Sequence, residues 1–143
     1  MPIKVIEYGS AQHKEMVALR MEILRKPLGL EFSAEEFDKE KKDLLIGAFE
    51  DDKLMACCIL TPLSTACYKL RQMAVRQKMQ RLGIGALMLQ FAENLARDAR
   101  YSIMILNART TAIGFYEKMG YSIHGDEFIE VGIPHVEMRK KLL

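Results

Sequence analysis

Tyr68-Lys69-Leu70-Arg71-Gln72-Met73-Ala74-Val75 runs into Arg76-Gln77-Lys78-Met79-Gln80-Arg81-Leu82 and then into Gly83-Ile84-Gly85-Ala86-Leu87-Met88-Leu89-Gln90-Phe91. The first part alternates as a strand does, the middle is a short basic and polar turn, and the last part has helical spacing. A strand that empties through a glycine turn into a helix start makes an anion cradle. The first N–H groups of the helix lack intrahelical partners, and the helix dipole leaves partial positive charge there. Glycine lets an anion approach the main chain with no Cβ in the way. The turn is not a Walker A loop, because no Gly-Lys-Ser/Thr follows. It is also a poor dinucleotide fingerprint, since Met88 stands three residues past Gly85 and the segment lies mid-chain.

Around this stretch, 143 residues make one domain, 1–143, long enough to bury a core without disulfides. A formal net charge of +2, with no Lys/Arg run longer than three, gives no reason to expect nucleic acid. No apolar run approaches the roughly 18 residues of a membrane span. Met1 to Gly9 lacks the regions of a secretory leader, which predicts a cytoplasmic protein. Cys57, Cys58 and Cys67 form neither a disulfide framework nor a metal site. There is no C-x-x-C or H-E-x-x-H, and His13, His124 and His135 lack ligand-like spacing, so no metal is expected.

In chain order, Ile3 to Tyr8 reads as a strand. Ser10 caps a helix over Ala11 to Arg25 with a broad apolar stripe, and Pro27 and Gly29 break it. Ser33 with Glu36 forms a capping-box pattern for a short charged helix. Leu44–Phe49 and Leu54–Leu60 read as a hairpin turning at residues 50–53, and Tyr68–Val75 pairs back as the next antiparallel strand. The central helix carries Ile84, Leu87, Met88, Phe91 and Leu95 on one face, with Glu93 and Arg97 on the other. Tyr101–Leu106 is a strand parallel to Tyr68–Val75, Thr110–Met119 a shorter helix closed by Gly120, and strands from Tyr121 and from Val136 finish the sheet. The class is α/β: a mixed, mostly antiparallel sheet of about six to seven strands flanked by about four helices.

Gln80-Arg81-Leu82-Gly83-Ile84-Gly85-Ala86 resembles the Q/R-x-x-G-x-G/A signature of the GNAT superfamily of N-acetyltransferases. Ala112-Ile113-Gly114-Phe115-Tyr116-Glu117-Lys118-Met119-Gly120-Tyr121 looks like that family's second motif, A-x-x-F-Y-x-x-x-G-F/Y. Gly132 to Met138 is similar to the tail of its ElaA-like branch. The resemblance implies the single-domain GNAT fold, with a splayed strand pair forming a cleft for acetyl-CoA as cosubstrate. It implies an acyltransferase moving acetyl to a primary amine by direct attack in a ternary complex. The alternative is a coenzyme A-binding module of the same fold that does not turn over.

On this resemblance the main chain of Arg81, Leu82, Gly83, Ile84, Gly85 and Ala86, with Gln80, holds the pyrophosphate. The main chain of Met73, Ala74 and Val75 pairs with the pantetheine arm, and an N–H near Val75 polarises the thioester carbonyl. Ala112 belongs to the second motif. Tyr116 is the candidate general acid for the departing thiolate, since a phenol with pKa near 10 is protonated at neutral pH. By periodicity alone it reads rather as a core tyrosine, and the family motif in register turns the reading toward the acid. Arg109 stands where the family often has Asn; it either meets a cofactor phosphate or faces water, and Asn107 is a possible substitute. The base that frees the amine is sought among Glu130, His135 and Glu31, though His135 reads as well as a structural histidine. The acceptor is a small-molecule or peptide amine, left open among polyamines, amino sugars, antibiotics and protein amines. The C-terminal strands offer a surface for a homodimer.

Overall fold

The structure, a computed structural model, describes residues 1–30 and 38–143. The chain divides into two compact units, Met1–Thr61 with Arg71–Ala92, and Pro62–Leu70 with Glu93–Leu143. The described strands β1 (Ile3–Ile6), β2 (Leu44–Glu50), β3 (Lys53–Pro62), β4 (Cys67–Val75), β5 (Ile103–Arg109), β6 (Ser122–Glu130) and β7 (Ile133–Lys141) form a seven-stranded mixed sheet in the order β1-β2-β3-β4-β5-β7-β6, which meets the expectation of six to seven strands.

The first unit opens with β1 (Ile3–Ile6), antiparallel to β2 (Leu44–Glu50). Helix α1 (Ala11–Arg20) begins where expected: Ser10 has extended backbone, and its side chain accepts from the main-chain N–H of His13. The predicted helix reaches Arg25, but after Arg20 the chain widens into a π-helical turn, Met21–Arg25, and then tightens into a 3-10 turn, Lys26–Leu28. Gly29 ends it with φ 70°, a conformation that suits glycine. The predicted hairpin is β2 with β3 (Lys53–Pro62). Its turn residues Asp51 and Asp52 both take positive φ, as a tight antiparallel hairpin turn demands. Met16 and Leu19 of α1 pack with Ile6, Leu45, Leu54, Cys57, Ile59 and Ala74. Their exclusion from water is the main force holding this unit.

β4 (Cys67–Val75) runs through both units. Its first four residues pair in parallel with β5 (Ile103–Arg109), from Cys67↔Ile103 to Leu70↔Leu106, as the order strand, helix, strand predicted. Two residues past that ladder, Gln72 takes φ 57°, a left-handed value uncommon for a residue with a Cβ. Helix α2 (Ile84–Asp98) follows the glycine turn. Its predicted face needs correction at two places: Leu87 is half exposed, while Glu93, assigned to the wet face, is buried.

The second unit continues through β5, a 3-10 turn at Thr110–Ala112 and helix α3 (Ile113–Lys118), closed by Gly120 at φ 95°. The antiparallel pair β6 (Ser122–Glu130) and β7 (Ile133–Lys141) completes it, with β7 also antiparallel to β5. β7 begins three residues before the predicted Val136, which places Pro134 and His135 inside the strand. With α1, α2 and α3 there are three α-helices among the described residues besides the two-residue stub Asp38–Lys39. The start of the helix predicted at Ser33 lies outside them. No described helix is long and apolar enough to cross a membrane.

Candidate active site

The cradle in the first unit is built from main chain. Past Val75, a 3-10 turn at Gln77–Met79 leads to Arg81 with φ 67° and Gly83 with φ 81°. Left-handed residues in a turn aim successive N–H groups to one side, making a concavity that suits an anion. The carbonyl of Gly83 accepts from the N–H of Leu87 at 3.2 Å, so Gly83 is the cap of α2. Ile84, Gly85 and Ala86 then form its first turn, whose N–H groups have no intrahelical acceptor. A Cβ placed on Gly83 would meet nothing within 4 Å, so the space above the turn is open. Arg81 and Leu82 are exposed and Ile84 is buried, which anchors the helix start beneath an accessible turn.

Two side chains brace this turn. The amide of Gln80 donates to the carbonyl of Val75 at 2.9 Å, tying the end of β4 to the turn. The guanidinium of Arg76 donates twice to the carbonyl of Leu54, at 3.2 and 2.9 Å, and lies 3.9 Å from Glu22. Arg76 is thus committed to the scaffold. Met73 and Val75 are half-buried and Ala74 is buried.

Tyr116 belongs to the second unit. It sits half-buried on α3, edge-on to the rings of Phe115, at 5.0 Å between centroids, and Tyr121, at 5.8 Å. Tyr121 is fixed by a buried network that the sequence reading missed. Its hydroxyl donates to Glu93 at 2.8 Å, and Lys140 donates to the other oxygen of Glu93 at 2.9 Å and to the carbonyl of Met119 at 2.8 Å. Burial, then the Glu93 carboxylate, pushes the Tyr121 hydroxyl far above the usual phenol range, so it remains a donor. The Glu93–Arg97 spacing of four residues was the one available signal.

Three predicted residues come together at the β6–β7 end. Asn107 of β5 donates to Glu130 Oε1 at 3.2 Å, and His135 Nε2 lies 3.6 Å from Glu130 Oε2. His135 Nδ1 is 2.7 Å from the carbonyl of Ile133, and since a carbonyl only accepts, Nδ1 carries the proton. Arg109 is exposed at the end of β5, opposite His135 in the ladder, and Ala112 is half-buried ahead of α3. Glu31 lies outside the described residues. On the same sheet face as Asn107, through the row Asn107↔Glu137↔His124, a shallow cavity of about 430 Å³ is lined by His124, Asp126, Phe128, Glu137 and Arg139.

Cys57 and Cys58 are buried in β3, and Cys67 is half-buried at the start of β4. Burial pushes Cys57 up to about 12 and Cys58 further still, and raises Cys67 as well.

A family model for the acetyltransferase (GNAT) domain matches residues 14–142. The chain belongs to the GNAT family. Among curated proteins it is 38% identical over 73 residues to an uncharacterized N-acetyltransferase, YjcF, of Bacillus subtilis, a match covering 50% of this chain and 52% of that one. The chain thus spans about half the length of this relative. Its fold matches that of a putative N-acetyltransferase from Lactobacillus plantarum, with a TM-score of 0.86 at 23% identity over the whole of both chains. Escherichia coli ElaA gives a TM-score of 0.82 at 14% identity over 97% of this chain and 98% of that one, so the expected likeness to ElaA holds for the fold. A GNAT family acetyltransferase from Elizabethkingia anophelis, solved with acetyl-CoA bound, gives 0.75 at 19% identity over 98% and 97%.

Proposed function

We propose that residues 1–143 form one N-acetyltransferase domain that moves the acetyl group of acetyl-CoA to a primary amine by direct attack in a ternary complex. The observation that carries this is the turn at residues 81–86, whose positive φ at Arg81 and Gly83 and open space above Gly83 suit a diphosphate. It lies in a chain of the GNAT family. Acetyl-CoA supplies the activated thioester; the chain's part is to hold it and manage protons. The main chain of residues 81–86 takes the phosphates, with Gln80 bracing the turn. Met73 to Val75 present strand main chain to the pantetheine amides, and an N–H near Val75 polarises the carbonyl. Asn107, Arg109 and Ala112 are the further cofactor-side residues.

Tyr116 gives its proton to the departing sulfur, and its ring is steadied edge-on by Tyr121. The amine's proton falls to Glu130 and His135, with Glu31 as a further candidate. The burial of Cys57 and Cys58 suits direct transfer without an acyl-cysteine, and three free cysteines suit the reducing cytoplasm. The test is release of coenzyme A thiol over a panel of amines, native beside Tyr116→Phe. We expect a fall of about 10²-fold in kcat for the variant, the usual scale for a lost general acid. An unchanged rate removes Tyr116 from the chemistry, and no release with any amine leaves a module that binds without turnover.

A further inference from the structure

We propose that Glu130 is the carboxylate that receives a cationic primary amine and passes one of its protons to Nε2 of His135, while Asn107 holds its other oxygen. This rests on the acetyl-transfer reading and assigns its base side. The geometry divides the labour. The Glu130 side chain is 46% exposed and can meet an acceptor, whereas that of His135 is 6% exposed and cannot. His135 donates from Nδ1 to the Ile133 carbonyl, so in the neutral ring Nε2 holds a lone pair, and it points at Glu130 Oε2 from 3.6 Å. A lone pair facing a carboxylate gains nothing until a proton arrives, and then the contact becomes an ion pair. The pair is therefore a proton sink with a carboxylate at its mouth. The groups around His135 are Glu130 on β6, Arg109 opposite it on β5, and the ring of Phe128, stacked at 6.1 Å between centroids.

Protons balance as follows. The acceptor arrives as R–NH3⁺, cedes one proton through Glu130 to His135 Nε2, and the imidazolium later returns it to water by way of Glu130. The free R–NH2 forms the new C–N bond as the C–S bond breaks. Its surplus N–H proton leaves with the sulfur by way of Tyr116. Glu130 is the catalytic residue of this set; His135 and Asn107 act through it.

The first arm of the test uses the native chain without ligand. Nitrogen-15 NMR of the labelled imidazoles, assigned with His135→Gln, should find the neutral His135 ring protonated at Nδ1. Protonation at Nε2 overturns the relay, because no lone pair would then face Glu130. The second arm measures thiol release with cadaverine, an amine of lysine type with pKa about 10.4, and with glycinamide, an α-amine near 8. For His135→Gln we expect a loss of about 10²-fold with cadaverine at neutral pH, shrinking as pH rises and smaller throughout with glycinamide. A loss equal for both amines at every pH marks a merely structural histidine and overturns the proposal. If the native chain acetylates neither amine nor any other, the transferase reading fails while the tautomer still reports on the pair itself.

Discussion

Each unit of this chain contains a buried histidine beside a glutamate, and the two pairs are wired oppositely. In the first, His13 Nδ1 accepts from the N–H of Gly9 at 2.9 Å, so Nε2 is the donor, and it faces Glu40 at 3.3 Å. Glu40 also takes both arms of Arg20, at 2.8 and 2.6 Å, and both Arg20 and Glu40 are closed to water. Every oxygen is used, and the charge is neutralised where it stands. In the second, His135 donates from Nδ1 and turns a lone pair to Glu130, whose carboxylate is half open. The same two residue types build a strut in one place and, on our proposal, a proton path in the other. Tautomer and exposure decide which.

The largest effect should come from the strut. Glu40→Ala removes the carboxylate that holds both arms of the buried Arg20 guanidinium, and we expect a loss of about 3–5 kcal/mol in urea unfolding. Glu130→Gln, changed at a half-open carboxylate, should cost less than about 0.5 kcal/mol. Comparable losses at the two sites would erase the distinction. Next comes chemistry: Glu130→Gln should lower kcat/KM for cadaverine by about 10-fold to 10²-fold with the unfolding curve unmoved.

The strut was hidden in the sequence for a physical reason. Arg20 sits on a buried helix stripe with His13, Met16 and Leu19, and Glu40 in a charged run twenty residues on, with nothing local to link them. Glu93 was misplaced for the same reason, since its partners Tyr121 and Lys140 come from distant elements. Local signals fared better. The Ser10 cap, the hairpin at Asp51-Asp52 and the turn at Gly83 are set by neighbours in sequence, and all are present; the parallel return of β5 is long-range and was legible from the order strand, helix, strand. The candidate site follows the same rule. Its glycine turn was legible as a turn, but the meeting of Asn107, Glu130 and His135 depends on the register of three strands, and the early start of β7 at Ile133 was not marked in the sequence.

Smaller changes sharpen the contrast. Ser10→Ala removes the cap beneath His13 and should cost about 1 kcal/mol. Its effect should appear in unfolding and leave thiol release intact. Asn107→Ala frees one oxygen of Glu130 and should do the reverse: a kcat loss of about 3-fold to 10-fold, worth roughly 1 kcal/mol as the net value of one hydrogen bond, with stability held. A shift of melting temperature for Asn107→Ala without a rate change would make the second pair a strut too.

The cradle beneath all of this is tested most directly by calorimetry on the whole chain, titrated with acetyl-CoA and, separately, with ATP. We expect saturable binding of acetyl-CoA, weakened about tenfold or more in Gly83→Val, where a branched side chain would be forced to φ 81°. Tight binding of ATP with none of the thioester, or an affinity for acetyl-CoA untouched by the valine, would show that this turn is not the cofactor's seat.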